Sequence, residues 1–350
     1  MKKLLMIVLT LAMLLSMTAC GGSSDTTASS DPKPSASTAT GESDAYPKAG
    51  TVATFYIGGS VGGGGDLNCR SLIRYLEPAM GITIVPENIT GSRTIYNGIK
   101  KCVEAPADGY TFGFMLYPHV VTEQFDPNTK DNTLFLDDYY ALCNLVSDSA
   151  VIAVRADDER FADVNDLSGL VDYMTSTGET LLISACSVGG DDDIAAHKLM
   201  LAAPEIADQL VIVNGEAVSD GLTSLLGGTL DIFTGNVGDV GTLVADGEIK
   251  VLSVFAEDRS VFLPDVPTAK ECGYDLIAST SRGVCISKDT DPAVIAKLES
   301  ILDEVVQDPA FIDEFTSQGF ELNYMKHDEY EAWLTSEYEN FDEIAAVYGW

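Results

Sequence analysis

Positive charge is scarce in this 350-residue chain. Twenty lysines and arginines (20) stand against 54 aspartates and glutamates, for a formal net charge of −34. A surface of that sign repels nucleic acid and anionic lipid headgroups, which excludes both as partners of the folded body. Histidine is scarcer still: His119, His197 and His327 lie far apart and beside no cysteine cluster. None of the cysteines forms a Cys-x-x-Cys pair, so metal-ligand spacing is absent and no cofactor is called for. No Ser/His/Asp or Cys/His arrangement stands at recognisable spacing, and no paired acids sit in a defined motif, so the sequence reads as non-enzymatic. No apolar run reaches the length of about 20 residues that a membrane-spanning helix takes.

What is present begins at the N-terminus. Lys2 and Lys3 precede a short apolar run, Leu4 to Leu15, and then Ser16-Met17-Thr18-Ala19 leads into Cys20. A basic start, an apolar stretch and small residues at the cleavage point describe an export signal over residues 1–19. The cysteine directly after them resembles a lipobox, in which the Cys20 thiol is acylated and becomes the new N-terminus. Residues 20–45 continue with Gly, Ser, Thr, Ala and Pro and scattered acids. Such a segment cannot bury enough apolar surface to offset its ordering entropy, so it reads as a flexible tether. The remaining cysteines, at 69, 102, 143, 186, 272 and 285, are as compatible with buried thiols as with bridges.

The folded body, from about Tyr46, alternates strand-like and helix-like stretches, which implies α/β lobes with parallel sheets covered by helices. Strands are expected at Thr51–Ile57, Ile82–Val85, Tyr110–Leu116, Ala150–Val154, Thr180–Ser184, Leu210–Val213, Leu230–Phe233 and Lys250–Phe255. Helices are expected at Leu67–Met80, Thr94–Val103 and Asp192–Ala202, and again after Asp291-Pro292, where an apolar stripe from Val294 to Val306 marks a docked core helix. The aromatic-rich tail from Tyr330 to Trp350 reads as helical packing.

Two junctions between strand and helix carry the chemistry. The first contains Ser60, Val61, Gly62, Gly63, Gly64, Gly65 and Asp66. Glycines let a backbone approach a ligand closely, and a helix N-terminus offers free N–H groups to an anion. The loop lacks the Gly-Lys-Ser/Thr ending of a P-loop, and on glycine content alone it is either an anion cradle or a plain turn. A second junction of the same kind holds Cys186, Ser187, Val188, Gly189, Gly190 and Asp191, and two such helix starts, one per lobe, would clamp a carboxylate. The run Asp191-Asp192-Asp193 reads as a helix cap, with a metal site as the less favoured alternative.

With VGGGGDLNCR (61–70), PENITG (86–91), APADGYTF (105–112), LTSLLGGTLDIF (222–233), DRSVFLPDVPTAKECGYD (258–275) and RGVCISKDTDP (282–292) in this order, the chain resembles the substrate-binding proteins of tripartite tricarboxylate transporters. The resemblance implies a type II periplasmic-binding-protein fold, two α/β lobes joined by a two-strand hinge with a ligand cleft between them. By position it implies one lobe from residues 46–147 and 255–350 and another from 148–254. It also implies a small organic acid as ligand, a di- or tricarboxylate or a relative, held by the two loops. The partners implied are a large and a small integral membrane subunit, with contact to the membrane only through the lipid anchor on its outer face. Arg93 replaces a small cleft residue of the family and Arg282 stands before Gly283; either could add a cationic fork for a carboxylate. A receptor of the same fold that signals to a membrane kinase is the alternative.

Overall fold

The computed structural model of the chain describes residues 46–215 and 217–350. The signal expected at 1–19, the lipidated Cys20 and the tether to residue 45 lie outside the described residues. The body opens with β1 (Val52–Gly58), whose Ala53, Phe55 and Ile57 alternate into the core. Then come α1 (Gly64–Met80), β2 (Thr83–Ile89), α2 (Thr94–Glu104), β3 (Thr111–Tyr117) and a short α3 (His119–Phe125). β1 pairs in parallel with both β2 and β3, as strand–helix–strand crossovers require. α1 stops at Gly81, whose φ of 66° is the left-handed conformation glycine adopts cheaply.

A long strand, β4 (Tyr140–Arg155), leads into α4 (Leu167–Thr177), β5 (Leu181–Ala185), α5 (Asp191–Ala202), β6 (Leu210–Asn214), α6 (Val218–Leu226), β7 (Ile232–Asn236), α7 (Val237–Ala245) and β8 (Ile249–Val254). The chain then returns through β9 (Ser279–Ile286) to α8 (Pro292–Val305), α9 (Pro309–Ser317), β10 (Leu322–Lys326), α10 (His327–Glu339) and α11 (Asp342–Tyr348). The expected Asp-Pro start of α8 is present: the Asp291 side chain accepts from the Ala293 N–H, with Pro292 in the first turn.

The strands run in the order β2-β1-β3-β9-β4-β7-β5-β6, with β10 and β8 branching from β4. β4 is what joins the two halves. Residues 140–149 pair with β9, and residues 150–155 pair with β7 and β8. Register shifts along β4 at Ala141/Cys143, Asn144/Val146 and Ile152/Ala153 bend it between the two sheet directions. One core covers the first half and includes Phe55, Phe112, Phe114, Phe311, Phe315 and Tyr330. In the second half Ile152 and Val154 of β4 face one core with Phe161, Leu170 and Leu199, while Val151 and Ala153 face another with Phe233 and Val240. That sheet is buried on both faces, which is why its strands read as continuous apolar runs.

Phe255, Ala269, Leu276 and Ala278 bury in the second-half core, and Leu263 in its opposite face. The Phe255 N–H donates to the Ala150 carbonyl and the Ala278 N–H to that of Phe255. The expected return to the first lobe after residue 254 therefore needs correction. We propose that the lobes divide as 46–149 with 279–350, and 150–278. The two crossover points are then Ser149/Ala150 and Ala278/Ser279, which lie side by side in the sheet.

Candidate functional site

Both loops singled out in the sequence are built the same way. In the first, the Gly63 N–H closes a turn onto the Ser60 carbonyl at 3.2 Å, with Gly62 at φ 82° in the third turn position. Gly63 is the N-cap of α1, and the Asp66 carboxylate reaches back to the Gly62 N–H at 2.8 Å. In the second, the Gly190 N–H closes onto the Ser187 carbonyl at 3.0 Å, with Gly189 at φ 73°. Gly190 is the N-cap of α5, and the Asp193 carboxylate takes the Gly189 N–H at 2.8 Å. The shared pattern is Ser-Val-Gly-Gly-x-x-Asp, followed four residues on by Arg70 in one loop and His197 in the other. This repeat is plain in the sequence once the two segments are set together, and it is the signal that the reading by strand and helix junctions passes over.

The two turns are anchored differently. Buried Asp66 also takes the Arg70 Nε–H at 2.8 Å and the Asn88 amide at 3.0 Å. Burial pushes its carboxyl up, but Arg70, the Gly62 N–H and Asn88 outweigh that and hold it below the usual carboxylate range. A depressed carboxyl supports the fold above that range and loses the support as pH falls through its lowered value. Asp193 takes its further hydrogen bond from the Tyr348 hydroxyl at the C-terminus, and His197 lies 3.8 Å away. The second turn is also covered: the Thr122 hydroxyl of α3 donates to the Gly189 carbonyl at 3.1 Å, and Trp350 lies against Gly189.

β9 ties the loops together. Thr280 and Arg282 are two apart on this strand and so project from one face. The Arg282 guanidinium Nη2 lies 3.6 Å from where a Gly64 side chain would begin, at the start of α1. The Thr280 hydroxyl donates to Asp191 Oδ2 at 2.6 Å, at the start of α5, and the Asn236 amide donates to the same oxygen at 3.0 Å. Arg282 is ion-paired with buried Asp148 of β4. Burial lowers its pKa to about 10, which leaves it charged at neutral pH. Thr280, Asn236 and Asp148 were not singled out in the sequence, because each is one small polar residue whose role depends on strand pairing.

Arg93, offered by the sequence as a second cationic fork, is already engaged by protein groups. Its guanidinium is held by Glu123 at 2.6 Å and the Asn132 carbonyl at 2.8 Å, and it stacks on the Tyr96 ring. The two helix starts also differ in charge. The first presents Gly64 and Gly65, exposed and half-buried; the equivalent positions of the second carry Asp191 and Asp192. The first helix start is therefore the more open of the two. Cys186, at the end of β5, is a half-buried free thiol pushed up to about 11, by burial first and then by Asp192, Asp191, Asp239 and Asp220.

Two α/β halves joined by crossing strands, each ending in a turn that feeds a helix N-terminus, define a two-lobed solute receptor. The chain belongs to the family described as the tripartite tricarboxylate transporter family receptor, which it matches over residues 69–348. Family members of this kind are extracytoplasmic binding receptors and not enzymes. Among curated relatives it is 25% identical over 262 residues to Protein BugT of Bordetella pertussis, covering 74% of this chain and 77% of that one. Among solved structures it resembles a TctC solute binding protein from Polaromonas, at TM-score 0.71 and 20% identity over 84% of this chain and 97% of that one. It also resembles MatC from Rhodopseudomonas palustris with bound malate, at TM-score 0.68 and 17% identity over 84% and 98%. Among the described residues no helix is long and apolar enough to cross a membrane.

Proposed function

We propose that this chain is a lipid-anchored receptor that captures a small organic carboxylate outside the membrane and hands it to a permease of large and small integral membrane subunits. The observation that carries the reading is the exposed start of α1. Gly64 and Gly65 leave their N–H groups without intrahelical partners, and Arg282 stands beside them on β9. Residues 60–66 thus supply contact-range donors in a chain whose net charge repels anions. Residues 186–191 approach the same face of β9 from the other lobe, and a ligand held there would draw the lobes together about the two crossing strands. The malate bound by MatC fits a ligand of this class.

A melting-temperature screen of the mature protein against small carboxylates tests the ligand class, because a ligand bound only by the native state raises the midpoint. At least one acid should stabilise the protein by several degrees; a flat panel contradicts the reading. The anchor is tested separately. Cys20→Ser should release the protein from the membrane fraction without detergent, and a variant that stays bound places the anchor elsewhere.

A further inference from the structure

Helix α5 belongs to both halves of the molecule. Its Ala195, Ala196 and Leu199 bury in the second-half core. Residues 193, 194, 197, 198 and 201 fall on the opposite side of the helix, at the spacing of a single face. That face meets the first lobe. Ile194 is buried and belongs to the first-half core, together with Phe341, Ile344 and Ala345. Asp193 takes the Tyr348 hydroxyl, and the His197 ring packs edge-on against the Tyr348 ring with centroids 4.8 Å apart. Lys198 Nζ lies 3.5 Å from Glu337 of α10, and Leu201 lines an open groove with Asn340, Glu343 and Ile344.

The turn before α5 is held from the same side. Thr122 of α3 donates to the Gly189 carbonyl at 3.1 Å. Trp350 stacks on Tyr348 with centroids 4.5 Å apart and stands 3.2 Å from where a Gly189 side chain would begin. The holding elements are rooted in the first lobe: buried Phe341, just before α11, packs on Phe125 of α3 with centroids 4.9 Å apart. The main apolar face of α5 is rooted in the second lobe. Elements anchored in different lobes and packed on one another have to part when the lobes rotate about Ser149/Ala150 and Ala278/Ser279. Parting uncovers Ile194 and breaks the Tyr348, Thr122 and Lys198 contacts, so these contacts favour the closed form before any ligand arrives.

We propose that the C-terminal residues Tyr348 and Trp350, together with Thr122 of α3, form a latch that holds the second lobe's loop against the first lobe and sets how far the empty receptor closes. This inference rests on the two-lobed receptor reading above and is independent of which acid is bound. The latch acts on ligand only through the closed population: apparent affinity falls in proportion to the fraction of protein in the binding-competent form.

Small-angle scattering of the mature protein, first empty and then saturated with the acid found in the screen, tests the latch. A chain ending at Val347 lacks Tyr348, Gly349 and Trp350. Empty, it should show a larger radius of gyration than wild type; saturated, it should return to the wild-type value. Its calorimetric Kd should rise by about tenfold. Lys198→Met, which keeps the C-terminus, should open the empty protein in the same direction by a smaller amount. An empty truncated protein with the wild-type profile overturns the inference even where its melting temperature is lower, because the contacts then brace α5 without governing closure. A larger empty radius that ligand does not reverse also overturns it, since that marks loosened packing and not an opened hinge. If the truncated chain does not fold, Lys198→Met decides, and its wild-type profile overturns the inference. If no acid of the screen binds, the receptor reading fails separately, while the empty profiles still decide the latch.

Discussion

Gly64→Val should weaken binding of the acid found in the screen by about a hundredfold or more while leaving the unliganded protein folded and close to wild type in melting temperature. Gly64 is the first residue of α1, is exposed and has no positive φ, so a side chain is compatible with its backbone. The first atom of that side chain would meet Arg282 Nη2 at 3.6 Å, an ordinary contact. Two further methyl groups would fill the space between the α1 N–H groups and the guanidinium, where the carboxylate is proposed to sit. The neighbouring glycines do not allow this separation. A side chain at Gly65 would run into the Phe114 ring at 2.8 Å, and one at Gly189 into Thr122 at 2.7 Å with φ at 73°. Their variants report on folding rather than on ligand. Calorimetric titration checks the expectation, and a folded Gly64→Val that binds like wild type contradicts it.

Arg282→Met should affect both stability and binding. Asp148 is 2% exposed, with Arg282 as its ion-pair partner and the Glu321 N–H at 3.3 Å as its hydrogen-bond donor. Removing one partner of a buried pair leaves an uncompensated charge and costs about 3–5 kcal/mol. Denaturant unfolding should show that loss, and the double variant Arg282→Met with Asp148→Leu should recover most of it, because both charges then leave together. Ligand affinity should stay reduced by about tenfold to a hundredfold in the double variant, since the cation is still gone. A single variant as stable as wild type would mean that the pair does not hold the two crossing strands, and recovery of affinity in the double variant would remove Arg282 from the site.

Much of the first lobe was legible because its elements follow simple periods. β1 alternates, α1 carries an apolar stripe ending at glycine, and both candidate loops fall where an apolar strand gives way to Gly-rich sequence. The strands that join the lobes were harder. β4 was read only at Ala150–Val154, yet it begins at Tyr140. Its first half contains Asn144, Ser147 and Asp148, polar residues that look like a break in a strand. They are tolerated because each is paired: Asn144 donates to the Asn323 carbonyl and accepts from the Ser281 hydroxyl. β9, Ser279–Ile286, is missing from the expected strands for the same reason, since Ser281 and Thr280 are buried only with partners from other elements. Hydrophobic periodicity carries no sign of such partners. Arg93 shows the reverse case: an arginine placed by sequence at a cleft is paired with Glu123, thirty residues on, which spacing could not reveal.

The aromatic tail was legible as packing but not as a cover. Trp333 and Phe341 pack with the first-lobe core as expected, while Tyr348 and Trp350 reach the α5 turn through Asp193 and Gly189. The C-terminus therefore holds the second loop in place much as Arg70 and Asn88 hold the first.

The central claim is that the start of α1 and Arg282 receive a carboxylate. A crystal structure of the mature protein with the tightest-binding acid of the screen tests it most directly. The account predicts a carboxylate oxygen within about 3.2 Å of the Gly64 or Gly65 nitrogen and of an Arg282 guanidinium nitrogen. A ligand bound away from both, with Arg282 still facing an empty α1 start, would contradict it.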